Sequence, residues 1–162
     1  MKVLGVDPGL NCTGYGLLSD GRDGLVLIEA GVLRSKATHP LEKRLKDLFD
    51  GMEEIIAEFN PEVVAIEELY SHYQHPRTAI IMGHARGVFI LAAGRVGLPV
   101  YSYSATRIKK SLTGSGRATK EQVSRMIGSL VNCEMSDIPS DATDAIAVAL
   151  CHVNAISRGC VL

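Results

Sequence analysis

Between Arg34 and Leu41 the spacing of apolar residues changes period, and that change restricts the chain to few architectures. Before it, Met1–Val6 is a short apolar run stopped by the turn formers Asp7-Pro8-Gly9. Thr13–Leu18 and Leu25–Arg34 are rich in strand formers and flank Ser19-Asp20-Gly21-Arg22-Asp23-Gly24, which reads as a hairpin connection. Three consecutive strands with short connections make an antiparallel meander. After the change, Leu41, Leu45, Leu48, Phe49, Met52, Ile55, Ile56 and Phe59 recur at spacings of three and four with charges between them. That is an amphipathic helix, entered through Pro40 near its first turn and left before Pro61.

The remainder alternates. Val63-Val64-Ala65-Ile66 is a compact apolar run, expected as a central strand buried on both faces, and it ends in Glu67-Glu68. Residues 77–96 predict a helix unusually rich in small residues, one face packing closely on the sheet and the other free for contact with a second copy. Pro99–Tyr103 is a short strand, Ser104 caps a brief helix through Leu112, and Gly114-Ser115-Gly116 is a loop. Thr119 and Gln122 have the spacing of a capping box for a helix running to about Val131. Ser140 is expected to cap the last helix, whose first turns hold Asp141 and Asp144. No repeat, low-complexity tract or linker interrupts the chain, so residues 1–162 are expected to form one α/β domain, a mixed sheet with helices on both faces.

Composition narrows the function. With 162 residues, 46% of them hydrophobic and 22% charged, the chain has the makings of an ordered core. The longest uncharged stretches, such as Gly87–Gly94, fall well short of the ~20 apolar residues a spanning helix needs, so no membrane partner is expected. The start of the chain reaches Asp7 after three apolar residues, unlike a signal peptide. Cys12, Cys133, Cys151 and Cys160 have no CxxC spacing, which favours reduced thiols in a cytoplasmic protein over zinc or disulfides.

A formal net charge of −1 argues, taken alone, against a nucleic-acid partner. The charges are segregated, however. Residues 69–120 contain no acid and carry Arg77, Arg86, Arg95, Arg107, Lys109, Lys110, Arg117 and Lys120, whereas residues 41–68 hold nine acids against three bases. The neutral total is two opposite surfaces cancelling, and a basic one can neutralise phosphates.

The carboxylates carry the chemistry. Asp7 lies where the first strand gives way to a turn, and Glu67 and Glu68 lie where another strand ends. Asp141 and Asp144 share one helix face, with Cβ atoms about 5–6 Å apart. Functional groups of open sheets gather where strands end. Each acid also has a plain explanation: Asp7 as a turn former, Asp141 as a partner of the helix dipole, Glu68 as an exposed residue. Asp144 is the harder to dismiss, because it begins the apolar face of Ala145, Ile146, Val148 and Ala149. Brought together, such acids repel one another unless cations neutralise them, and an all-oxygen set suits Mg²⁺ or Mn²⁺. Two ions ~3.5–4 Å apart can clamp the attacking and leaving oxygens of a phosphodiester. His72, His75 and His84 are expected at surface or packing positions, since a metal-bound water needs no dedicated base.

Leu4-Gly5-Val6-Asp7-Pro8-Gly9 with Thr13-Gly14-Tyr15-Gly16, Ala65-Ile66-Glu67, Gly83-His84-Ala85-Arg86-Gly87, Gly114–Val123 and Ser140-Asp141-Ala142-Thr143-Asp144-Ala145 together resemble the RuvC family of crossover (Holliday) junction endodeoxyribonucleases, in family order over residues 3–152. The resemblance implies an RNase H-like fold with a five-stranded mixed sheet, three antiparallel strands followed by parallel ones. It implies a homodimer that binds four-way junction DNA, nicks two strands symmetrically and works with a branch-migration helicase complex of the RuvA–RuvB type. It selects Glu67 over Glu68, and by the same motif matching Asp7, Asp141 and Asp144 complete the catalytic and metal-binding set, for two Mg²⁺ with Mn²⁺ able to substitute.

Tyr70 falls where the family carries a base-stacking aromatic; Phe is usual there, and Tyr adds a hydroxyl. Lys109 and Lys120 fall on family positions associated with DNA binding, and Arg77, Lys110 and Arg117 are grouped with them as DNA-binding candidates. Some relatives extend further beyond the last motif, so no role of such a tail is expected here. Three rivals to a junction resolvase are open from the sequence: a related nuclease acting on RNA or single strands, a non-catalytic junction-binding module, and an actin-like phosphotransferase. Four acids argue against the second, and the third needs a second lobe for which 162 residues leave no room.

Overall fold

The computed structural model describes residues 1–22, 24–69 and 76–159. Tyr70, His72, His75 and Cys160, singled out from the sequence, lie outside the described residues. The elements run β1 (Lys2–Asp7), β2 (Cys12–Gly21), β3 (Gly24–Arg34), α1 (Leu41–Phe59), β4 (Val63–Glu67), α2 (Pro76–Arg95), β5 (Val100–Tyr103), α3 (Ala105–Thr113), α4 (Lys120–Val131) and α5 (Ser140–Ser157). The sheet order is β3-β2-β1-β4-β5. The β1–β2 and β2–β3 pairs are antiparallel and the β1–β4 and β4–β5 pairs parallel, the mixed sheet expected.

Alternation along the strands sorts the core into two layers. Leu4, Val6, Leu17, Val64 and Ile66 face α1 and α2, where Leu48, Met52, Phe89 and Ala93 meet them. Val3, Leu18, Val63 and Ala65 face the opposite way, toward Ile146 and Leu150 of α5, Ile108 of α3 and Ile127 of α4. Helices therefore cover both faces. Among the described residues no helix is long and apolar enough to cross a membrane. Cys12, Cys133 and Cys151 are free thiols.

Local signals held where a cap is read from adjacent residues. Thr119 and Gln122 form the reciprocal capping box of α4, and Ser104 caps α3 by accepting from Arg107 N. Two details differ. The β2–β3 hairpin is tighter than the polar run 19–24 implied, since Ser19, Asp20 and Gly21 stay paired and Gly21 faces Gly24, whose φ is +104°. A backbone ladder continues through polar residues as readily as through apolar ones. The second correction concerns α5: Ser140 is its first residue, not its cap. Pro139 takes that place, its carbonyl accepting from Thr143 N at 2.9 Å, with no side-chain cap.

Helix α5 lies unusually close to the sheet. A Cβ on Gly5 would stand 2.1 Å from Ala145 O, one on Gly14 1.8 Å from Asp141 O, and one on Gly16 2.6 Å from Ile146 Cγ1. Three glycines of β1 and β2 thus let the α5 backbone rest directly on the strands. This contact positions the first turn of α5 for function.

Candidate active site

Strand parity aims the first two acids. Val3, Gly5 and Asp7 share one face of β1, and Val63, Ala65 and Glu67 the same face of β4, the face that carries α5. Because Val6 stands beside Ile66 in the parallel ladder, Asp7 and Glu67 follow side by side where the two strands end. Glu68 has the opposite parity and is exposed, so Glu67 is the inward acid. Gly14 is the partner of Asp7 in the antiparallel ladder, and Asp141 rests on Gly14. The first turn of α5 is therefore delivered to the carboxyl end of β1, with Asp144 one turn further along.

Asp7, Glu67 and Asp144 line a cleft of about 270 Å³ together with Lys109 and Lys120, over an apolar floor that includes Ile108 and Val123. Lys120 Nζ donates to Asp144 Oδ2 at 2.7 Å. Asp141 lies beside the cleft, where the Cys12 thiol donates to its Oδ2 at 3.1 Å. Burial, then the charges of Glu67, Asp144 and Asp141, push the Asp7 carboxyl up to about 7, against the opposing pull of Lys120. Burial and Asp144 likewise raise Glu67, which Lys120 and Lys109 oppose. The two lysines only partly offset the burial and mutual repulsion of Asp7 and Glu67.

As they stand, no three His, Cys, Asp or Glu side chains among the described residues converge to hold an ion; Asp144 is engaged by Lys120 and Asp141 by Cys12. The donor chemistry nonetheless fits a hard divalent cation: the acids are oxygen donors, half-buried and mutually repelling at one strand end.

The basic candidates divide. Lys109 and Lys120 line the carboxylate cleft, Lys109 half-buried and Lys120 at its exposed rim. Lys110, Arg117 and Arg77 are exposed, on α3, in the loop before α4 and at the start of α2. Two members of the basic block face elsewhere. Arg95 pairs with Glu53 at 3.1 Å and lies over Phe49, which ties α2 to α1. Arg86 donates from Nε to the Glu67 carbonyl at 3.2 Å and from Nη2 to Ser102 Oγ at 2.6 Å, clamping the ends of β4 and β5 behind the site. Cys12 and Arg86 were not recognised as supports of the site. A cation set midway along a mostly apolar helix was the available signal for Arg86; Cys12 offered none.

The family model for Crossover junction endodeoxyribonuclease RuvC matches residues 3–152. The curated protein of that description from Rhodopirellula baltica is 46% identical over 149 residues, covering 92% of this chain and 84% of its own length. The structure of Thermus thermophilus RuvC superposes with a TM-score of 0.90 at 31% identity, covering 98% of this chain and 97% of that one. T. thermophilus RuvC in complex with a Holliday junction substrate gives 0.89 at 28% identity, covering 99% and 98%. The RNase H-like sheet, the in-register acids on β1 and β4 and these likenesses agree: the chain belongs to the RuvC family of crossover junction endodeoxyribonucleases.

Proposed function

We propose that this chain resolves four-way (Holliday) DNA junctions in recombination and repair, cutting two strands symmetrically to leave 5′-phosphate and 3′-hydroxyl ends. The observation that carries the reading is the placement of Asp7 and Glu67 side by side at adjacent strand ends, facing Asp144 across one cleft. Asp7, Glu67, Asp144 and Asp141 would hold Mg²⁺, two ions per site, with Mn²⁺ able to substitute. Bound there, the ions supply an activated water and neutralise charge on the departing 3′ oxygen. The carboxylates fix the positions from which this chemistry acts, and the β1 and β4 backbone ladder holds them rigid.

Lys109 at the cleft and the exposed Lys110, Arg117 and Arg77 meet phosphates, so binding weakens as salt rises. Tyr70 stacks on a base beside the junction. One domain carries this whole site, and two strands to be cut call for two such sites. A homodimer through α2 supplies them: Ile80 is 62% and Leu91 58% exposed on that helix, with Val96 just beyond it at 59%. The protein acts in the cytoplasm with a branch-migration helicase complex of the RuvA–RuvB type.

The deciding experiment incubates the protein with a synthetic four-way junction and a matched linear duplex, with and without Mg²⁺. Paired symmetric nicks in the junction only, and only with metal, are expected. Asp7→Asn should lose cleavage and keep junction binding; parallel loss of both would make Asp7 a structural residue.

A further inference from the structure

We propose that Lys120 is the built-in counter-cation of the carboxylate cleft: it holds Asp144 when no divalent ion is bound and competes with that ion for the carboxylate. The inference rests on the divalent-metal reading above.

Lys120 is the first residue of α4, where the helix macrodipole disfavours a cation and favours an acid such as the neighbouring Glu121. The helix itself therefore gives no reason for a lysine there. The carboxylates do. Its Nζ reaches Asp144 Oδ2 at 2.7 Å across 24 positions of sequence, and its charge also opposes the crowding at Asp7 and Glu67. The backbone beneath it is fixed by the capping box, in which Gln122 Oε1 accepts from Thr119 N at 2.9 Å and Thr119 Oγ1 accepts from Gln122 N at 3.3 Å. The lysine stem, by contrast, is largely solvated: its side chain is 68% exposed, against 28% for Asp144. A pinned base with a solvated arm suits a group that can let go of its carboxylate without disturbing the fold.

The antagonism is reciprocal. Whatever holds Lys120 to Asp144 must be given up when a divalent ion takes that carboxylate, and the bound ion repels the ammonium in turn. Once released, Nζ stays at the cleft beside Lys109, where a phosphate oxygen of the substrate would be received. Lys120 thereby couples ion loading to readiness for DNA, a role separate from a uniform DNA contact.

The test measures Mn²⁺ binding to the full chain without DNA, counting free Mn²⁺ by its electron paramagnetic resonance signal. Lys120→Met should bind Mn²⁺ about three- to tenfold tighter than the parent, since the lost competitor is a partly exposed ion pair. Lys120→Arg should stay close to the parent. Lys109→Met, which removes a cation from the same cleft but not from Asp144, should change affinity less than Lys120→Met does. Circular dichroism checks folding, and Lys120→Gln serves as a second charge-free variant. Unchanged or weaker Mn²⁺ binding in both charge-free variants overturns the proposal, as does equal tightening in Lys109→Met. Absence of Mn²⁺ binding in the parent, or binding that Asp7→Asn leaves untouched, overturns the metal reading itself.

Discussion

Helices α2 and α5 are both rich in small residues, and the sheet treats them in opposite ways. Beneath α5 the space is made by the strands: Gly5, Gly14 and Gly16 bring the helix backbone onto β1 and β2, and nearly every residue from Ala142 to Val153 is buried. On α2 the glycines are the helix's own, and a Cβ on Gly87 or Gly94 would meet nothing within 4 Å. Ala85, Phe89, Ala92 and Ala93 suffice to seat α2 in its layer. The expectation that one face of the 77–96 helix packs on the sheet through small residues thus holds for Ala85, Ala92 and Ala93, while the approach of helix backbone onto strand backbone belongs to α5. Glycine in a strand under a helix fixes where that helix starts; glycine on a helix's open face leaves room for something else.

The sharpest way to break this contrast is to fill the two kinds of space. Gly14→Val places a Cβ where Asp141 O already stands, and a rigid helix backbone cannot step aside as a side chain can. We expect a loss of about 3 kcal/mol or more, a fall in Tm of about 6–12 °C, together with loss of junction cleavage. Thermal denaturation and a cleavage assay on the same preparation check it. A variant that melts normally but no longer cuts would separate the placement of α5 from its stability.

The same close contact buries charge. Asp7 carries its carboxyl at about 7 in the fold against 3.8 in the unfolded chain, so between these values the native state holds the extra proton. Stability of the metal-free protein is therefore greatest below pH ~4 in this respect, falls as pH rises through 7, and levels off above it. The full change is on the order of 2–4 kcal/mol. Asp7→Asn should flatten that slope in a pH series of denaturant midpoints and stabilise the metal-free protein at pH 8. Adding Mg²⁺ at pH 8 should raise the parent's Tm more than the variant's. An unchanged slope in the variant would mean another group carries the proton.

How much of this was legible follows from range. Apolar runs, apolar period and cap residues marked the strands and helices, and strand ends marked Asp7 together with Glu67-Glu68. The choice of Glu67 over Glu68 came from the family resemblance, although parity alone explains it: Glu67 shares its face with Val63 and Ala65. The contacts that finish the site were illegible because they join distant positions through side chains. Cys12 meets Asp141 across 129 positions, and Lys120 meets Asp144 across 24. Charge segregation along the sequence does not carry over as two separate faces at every position, since Arg95 of the basic block pairs with Glu53 of the acidic one and Arg86 serves the sheet. The Ser140 cap failed by one residue, because proline's carbonyl can start a helix without any side-chain acceptor.

The smallest expected effect lies on the open side of the contrast. Gly87→Ala adds a Cβ into free space on an exposed helix position, so the protomer should gain about 0.5–1 kcal/mol from helix propensity alone. If α2 is the face shared by two protomers, Gly87 is a point of close approach, and the added methyl should weaken association even as it stabilises each protomer. Leu91→Asp, on a residue already 58% exposed, should dissociate the dimer with little change in protomer melting. Sedimentation velocity across micromolar concentrations separates the two readouts. A protomer stabilised by Gly87→Ala and a self-association that neither variant moves would place the second copy on some other face, and would leave the α2 glycines as tolerated rather than used.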